Sequence, residues 1–181
     1  FDSRFRNYIA LLSTGNTRDL DGEALPEFAY QAVRAHLRGL EASGNFRLLE
    51  SASTVDLEWR ADSVRATNRS TGQPLPRIAP LRLGATLVWA QGPWGARMGF
   101  DRSARQDRVP EGEFSTDGYT LWSAALTYRM KAGPASLLWY ARLDNAGDRL
   151  ATSATSILTQ TAPGKAPLPG RSLKLGLQAS F

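Results

Sequence analysis

The feature that most constrains this 181-residue chain is the strict alternation in its segment TVDLEWRAD. Every second position is apolar and the positions between are ionised: Val55, Leu57, Trp59 and Ala61 against Asp56, Glu58, Arg60 and Asp62. Successive side chains of a strand point to opposite faces, whereas a helix would mix the two sets. The segment therefore predicts a β-strand with water on one face and an apolar phase on the other.

Similar alternation recurs along the chain and predicts about eight strands. They cover residues 1–12, 28–47, 53–65, 81–90, 94–101, 119–130, 135–146 and 171–181. The alternation weakens at residues 39–42, where we expect a β-bulge or a local twist of the strand.

The connections between these strands are alternately short and long. The short ones cover residues 48–52, 91–93 and 131–134, and the long polar ones cover 13–27, 66–80, 103–118 and 147–170. Outer-membrane β-barrels sort their connections in this way, with short periplasmic turns and long extracellular loops. A soluble β-sandwich stays open as an alternative, because its strands alternate as well. In the barrel reading, an even strand count puts Phe1 and Phe181 at the periplasmic end.

The composition is compatible with strands that cross a membrane. Mean hydropathy is −0.32 and no run of 18 apolar residues occurs, so the sequence predicts no transmembrane helix. A transmembrane strand needs only about 9–11 residues, of which alternate ones face lipid. The absence of cysteine excludes disulfides and thiolate metal sites. The net charge of +5 is scattered along the chain, so we expect no nucleic-acid partner.

Several short segments, in order, resemble TonB-dependent outer-membrane receptors. The C-terminal ones are Asp144-Asn145, Pro169-Gly170-Arg171 and the final Phe181. Earlier ones are Arg38-Gly39-Leu40-Glu41, the stretch 76–84 and Gly118-Tyr119-Thr120-Leu121. The resemblance covers essentially the whole chain. Leu150 departs from it, since the family often has tyrosine there.

The resemblance implies a fold and a function. Residues 1–181 would be the C-terminal portion of an all-β, antiparallel up-and-down transmembrane barrel, the last eight of 22 strands. The plug domain, the earlier strands and the segment that contacts TonB would lie outside this chain. The implied function is uptake of a scarce nutrient across the bacterial outer membrane: a siderophore or other metal chelate, haem, a metal or cobalamin. The implied partners are outer-membrane lipid, the plug domain, TonB and the small nutrient ligand.

The last strand carries a second implied role. Terminal aromatic residues with apolar residues at alternate positions before them are read by the barrel-assembly machinery. The matching residues are Leu173, Leu175, Leu177, Ala179 and Phe181. The same row would also serve simply as the lipid-facing side of a strand.

Polar residues in the alternating strands are expected to face the barrel interior. They are Asp56, Glu58, Arg60, Asp62, Arg97, Arg142 and Lys174. Such residues either contact the plug and passing substrate or form cross-strand ion pairs, and ion pairing is the commoner role. Arg65, Arg69 and Arg77 lie near a long connection, where they either attract an anionic ligand or are simply solvated.

The sequence favours neither an enzyme nor a metal site. The single histidine, His36, lies between Arg34 and Arg38 in the phase expected to face the lumen, and these cations disfavour a metal. No nucleophile-elbow G-x-S-x-G occurs. We therefore expect no catalytic residues, metal ligands or cofactor. The alternative function is an independent eight-stranded outer-membrane barrel with a structural, adhesion or lipid-modifying role.

Overall fold

Eight strands form one antiparallel sheet in which every strand pairs with its neighbours in the chain. The computed structural model describes residues 1–181. The strands are β1 (Asp2–Leu20), β2 (Glu23–Glu50), β3 (Thr54–Asn68), β4 (Arg82–Gln91), β5 (Trp94–Ser103), β6 (Tyr119–Ala132), β7 (Ala135–Asp144) and β8 (Ser172–Ser180). A short helix, α1 (Leu158–Thr161), lies before β8. The all-β, up-and-down antiparallel prediction is confirmed.

The sheet is open, because β1 and β8 do not pair with each other. Only 17 of 181 residues are buried, so neither face is covered by a second layer. A soluble β-sandwich would bury one face of its sheet against another. The open sheet instead has the form of part of a β-barrel.

The two faces differ in chemistry, as the alternation predicted. Cross-strand register puts Leu57, Leu87 and Met98 side by side, and puts the ionised residues on the opposite side. We call these the apolar face and the ionic face. Large residues stay exposed on the apolar face, among them Leu40, Phe46, Leu87, Met98, Trp122, Leu126, Trp139, Leu173, Leu175 and Leu177. So much exposed apolar surface on one side indicates contact with lipid or protein.

Two ends of the sheet are also distinct. Residues 51–53, 92–93 and 133–134 make tight connections at the short-turn end. Residues 69–81, 104–118 and 145–171 make long connections at the opposite, long-loop end. Trp94 and Tyr128 pack at the short-turn end with ring centroids 4.5 Å apart. Aromatic residues at this position match the girdle of a membrane barrel.

The prediction of a long loop over residues 13–27 is wrong. β1 and β2 continue as a hairpin closed by Asp21 and Gly22, whose φ angles are 54° and 83°. Two central residues with positive φ make a type I′ turn, whose twist matches the strands that it joins. The polar residues around it are therefore strand residues with water on both sides.

The predicted bulge at residues 39–42 is also wrong. The register between β2 and β3 runs without a shift from Ala35 to Arg47, and the irregularity comes after Arg47. Gly39 interrupts the alternation because the Phe1 ring takes its place: a Cβ there would lie 2.7 Å from the ring. The glycine is therefore explained by the space that the Phe1 ring needs, and not by an extra residue in the strand.

The position expected for Phe1 at the short-turn end is wrong as well. Its amino group donates to the Gly39 carbonyl over 2.9 Å, and the Gly39 N–H donates back over 3.0 Å. Residues 40–50 of β2 run on below this pair towards the short-turn end, without a partner in β1. Phe1 therefore lies partway along the sheet.

The chain contains no helix with both the length and the apolar character needed to cross a membrane.

Candidate functional site

The ionic face of β2 to β5 carries a ladder of ion pairs. Arg82 pairs with Asp62 at 2.9 Å. Three further pairs join Arg47 to Asp56, Arg97 to Glu58, and Arg60 to Asp101. The pairs follow from the alternation, because it puts these charged side chains on one face of the sheet, where long side chains reach the neighbouring strand or the one beyond it.

Two of these pairs, Arg97 with Glu58 and Arg60 with Asp101, cross the whole of β4, and Gly84 makes the second one possible. Arg60 on β3 and Asp101 on β5 both lie opposite Gly84 on the intervening β4. A Cβ on Gly84 would lie 2.8 Å from the Asp101 carboxylate and 2.9 Å from Arg60 Nε. The glycine therefore provides the space in which the ion pair forms. Its signal in the sequence is a glycine in the polar phase of an otherwise regular strand.

A second, smaller ionic group lies on β7 and β8. Asp144 accepts from Arg142 at 2.8 Å and from Lys174 at 3.0 Å. Between the two groups, β6 presents the uncharged side chains of Ser123 and Ala125 to the same face. The seven polar residues singled out in the sequence thus share one face, but they form two separate groups.

At the long-loop end, the ionic face changes to a small apolar cluster. Leu75, from the connection after β3, packs on Ala10, Ala35 and Ala66, and all four are buried. The connection of residues 69–81 therefore folds onto the ionic face, the side expected to line the lumen. Arg77 has a φ of 56° in this connection. The structure does not bring Arg77 together with Arg65 and Arg69, which lie on the apolar-face side of β3 and its extension.

The two longest loops are joined through the side chain of Gln160. Its amide accepts from the Phe114 N–H and donates to the Phe114 carbonyl, each over 2.8 Å. Gln160 is only 6 % exposed, although it lies in a surface loop. The joined loops border an open pocket of about 320 Å³ lined by Phe114, Tyr119, Arg149, Leu150 and Thr159 among others. No local sequence signal points to this contact, because the two residues are 46 positions apart.

Hydrogen bonds join the two C-terminal segments that carry the resemblance, and they hold the base of the last loop together. Asn145 donates to the carbonyls of Arg149 and Pro169 over 3.0 and 3.1 Å. The Arg171 N–H in turn donates to Asp148 over 2.9 Å. The segments Asp144-Asn145 and Pro169-Gly170-Arg171, far apart in the chain, thus close the loop at the end of β7 and the start of β8.

Two charged groups of the loops have shifted pKa values. Burial raises the pKa of Glu113, and the nearby Arg77 opposes this rise only in part. Burial lowers the pKa of Arg108, and the positive charges of Arg65 and Arg38 lower it further. Arg108 is therefore held close to other cations.

The structure holds no group of three or more His, Asp or Glu side chains arranged to bind a metal ion. His36 Nε2 lies 2.9 Å from both carboxylate oxygens of Asp2. The expected lumen-facing phase of His36 is wrong. It pairs with Thr67 in an unshifted register that also pairs Gly44 with Trp59, so it lies on the side of the apolar face.

The Gln160 contact gives a testable prediction. Leucine at position 160 would leave the N–H and carbonyl of Phe114 without partners, at a cost of about 1–3 kcal/mol to loop docking. We expect amide hydrogen exchange in residues 104–118 to become roughly tenfold to hundredfold faster in Gln160→Leu. Thr161→Ala, an exposed change in the same helix, is the control and should leave these rates unchanged. Equal rates in Gln160→Leu and the native protein would show that the two loops are not coupled.

Comparison with known proteins agrees with this architecture. A family model described as "TonB dependent receptor-like, beta-barrel" matches residues 1–146. The chain belongs to the TonB-dependent receptor family. A solved structure described as "Copper transporter OprC" superimposes with a TM-score of 0.76 over 98 % of this chain, at 19 % identity. The chain spans 28 % of that protein, and at this identity the likeness concerns the fold alone. No curated protein matches the sequence.

Membership of the TonB-dependent receptor family explains the two faces. A barrel wall of this family separates lipid from a polar, plugged lumen. The apolar face and the ionic face are the two sides of such a wall. The expected membership, inferred from short segments such as Pro169-Gly170-Arg171, is confirmed.

Proposed function

We propose that this chain forms wall and extracellular loops of a TonB-dependent transporter in the bacterial outer membrane. The observation that carries the proposal is the contrast between its faces, on strands of a receptor-family barrel. One face holds paired charges such as Arg82 with Asp62, and the other exposes Leu87 and Met98. The short-turn end then lies in the periplasm and the long-loop end outside the cell. The chain supplies no catalytic group in this account.

We further propose that residues 1–181 are the C-terminal portion of the barrel, its last eight strands. The apolar row of β8 would then close the barrel against a strand outside this chain and would be read by the assembly machinery: Leu173, Leu175, Leu177, Ala179 and Phe181. The long exposed edges of β8 and of residues 40–50 support this, because unpaired edges in lipid are costly.

The ionic face would contact the plug domain and border the path of the substrate. The groups proposed for this role are Asp56, Glu58, Arg60, Asp62, Arg97, Arg142 and Lys174. Their pairing means that a plug can be displaced without leaving isolated charges in the wall. The substrate class is a scarce nutrient: a siderophore or other metal chelate, haem, a metal or cobalamin.

Growth under nutrient limitation tests the proposal. Deletion of the gene should impair growth when iron, copper or cobalamin is limiting, in at least one of the three cases. The intact gene should restore growth in cells that contain TonB and fail to restore it in cells that lack TonB. Rescue without TonB, or normal growth of the deletion strain under every limitation, would contradict the proposed transport.

A further inference from the structure

Four unpaired arginines lie on the apolar-face side of β2, β3 and the residue after it. Arg38 pairs across strands with Arg65. Arg34 and Arg69 form the next level on this side, joined by a backbone hydrogen bond of 2.7 Å. We call Arg34, Arg38, Arg65 and Arg69 the basic rim. The register has no shift between the rim and Leu40, Ala42 and Phe46, so these residues share one side of the sheet.

The arginines of the basic rim differ from those of the ion-pair ladder in having no carboxylate partner. Arg47, Arg60, Arg82 and Arg97 each have a carboxylate partner. The four rim guanidinium groups are exposed, and none has a carboxylate oxygen within 4.0 Å. The one acid that faces them, Asp2, is held by His36 at 2.9 Å. The single carboxylate of Asp2, which lies on β1 opposite Arg38, does not balance four arginines, and like charges placed directly opposite each other destabilise a sheet.

A fifth cation strengthens the positive field. Arg108, from the connection between β5 and β6, donates to the Ala66 carbonyl over 3.1 Å and to Thr67 Oγ1 over 2.7 Å. Thr67 lies between the two arginine levels of β3. The loop therefore adds a guanidinium to a region that already holds four.

The rim lies where an apolar surface ends. Below it, towards the short-turn end, the same side of the sheet exposes Leu40 and Phe46 at 73 % and 56 %. A ligand that covers both parts must have an anionic head and apolar chains. Planar guanidinium groups bind phosphate through two parallel hydrogen bonds. The two arginine levels are four residues apart along the strand, which is about 13 Å.

From this arrangement we infer that the basic rim binds a bis-phosphorylated glycolipid of the outer leaflet. One phosphate lies between Arg38 and Arg65, and the other lies between Arg34 and Arg69. The acyl chains run along Leu40 and Phe46. The inference rests on the proposed placement of this chain in an outer membrane, with the long-loop end outside.

The test uses the full-length protein in detergent and the glycolipid lipid A, with binding measured by native mass spectrometry. We expect Arg38→Gln/Arg65→Gln to bind lipid A roughly 10- to 30-fold more weakly, as basic groups near a headgroup contribute about tenfold or less each. Arg129→Gln/Lys131→Gln removes the same charge at the short-turn end of the ionic face and should bind as the native protein does. Enzymatically dephosphorylated lipid A should bind at the level of the arginine variant, and inorganic phosphate should not compete at millimolar concentration.

The inference predicts that the variant is at least as stable as the native protein in phosphatidylcholine vesicles, because two repelling charges are gone. If the arginines had a purely structural role, the variant would instead be less stable there. Equal binding of phosphorylated and dephosphorylated lipid, unchanged binding by the variant, or competition by inorganic phosphate would each overturn the inference. TonB-dependent growth is measured separately. A protein that inserts into vesicles but does not support TonB-dependent growth refutes only the proposed transport.

Discussion

Replacing Leu126 by arginine is expected to destabilise the protein in a bilayer by roughly 2–4 kcal/mol. Leu126 is the middle residue of the apolar row of β6, which runs from Trp122 to Met130. Its side chain is 45 % exposed on the apolar face, with alanines opposite it on both neighbouring strands. An ionised side chain at this depth would lie in hydrocarbon, where its desolvation is not compensated.

Two matched substitutions show whether the cost of Leu126→Arg comes from the depth and face of this position or from arginine itself. Met130→Arg puts the same group on the same face near the short-turn end, and should cost about 0–1 kcal/mol. Ser123→Arg puts it on the ionic face, at a partly exposed position opposite Gly99, and should change stability by about 0.5 kcal/mol or less. Guanidinium unfolding in lipid vesicles, followed by tryptophan fluorescence, measures all three. Equal costs at positions 123 and 126 would contradict the assignment of the faces.

Replacing Gly99 by valine is the second change with a large expected effect, about 3 kcal/mol or more. A Cβ at Gly99 would lie 2.5 Å from the carbonyl oxygen of Ala85 and 3.0 Å from the Cα of Thr86. These atoms belong to the backbone of β4, so relief requires the two strands to separate. A lost strand pair should also reduce the fraction of protein that migrates as a folded, heat-modifiable band on gels.

Gly95→Val is the matched control, since Gly95 lies on the same strand and the same face. The nearest atom to its added Cβ is the hydroxyl of Thr127 at 2.7 Å, a side chain that can rotate away. The expected cost is about 1 kcal/mol. A Gly99→Val variant as stable as Gly95→Val would show that β4 and β5 are not packed as described.

The strands that separate lipid from lumen could be predicted from sequence, because one face of each strand contacts lipid and the other contacts the polar lumen. Adjacent residues such as Leu57 and Glu58 show this difference. Residues 13–27, which extend the β1–β2 hairpin beyond the predicted strands, are mostly polar and show no alternation. Their one sequence signal is Asp21-Gly22, a dipeptide that favours a type I′ turn.

The predicted phase of His36 is wrong for a different reason. Near the basic rim the polarity of the two sides is inverted: Ala35 and Leu37 pack with Leu75 on the side of the ionic face, while His36 and its neighbouring arginines lie on the other side. A polar phase therefore does not indicate the lumen there. Only the continuous register with β3 assigns the face. The Gln160 contact with Phe114 and the passage of Arg60 past Gly84 depend on tertiary proximity, which composition and periodicity do not encode.

The barrel-wall account is tested most directly by cysteine scanning along β6, since the native chain has no cysteine. Single cysteines at positions 121–128 would be labelled with a fluorophore in the full-length protein, in vesicles that contain brominated lipid. The account predicts strong quenching at residues 122, 124, 126 and 128 and weak quenching at 121, 123, 125 and 127. Uniform quenching, or strong quenching in the opposite phase, would contradict the assignment of lipid to the apolar face.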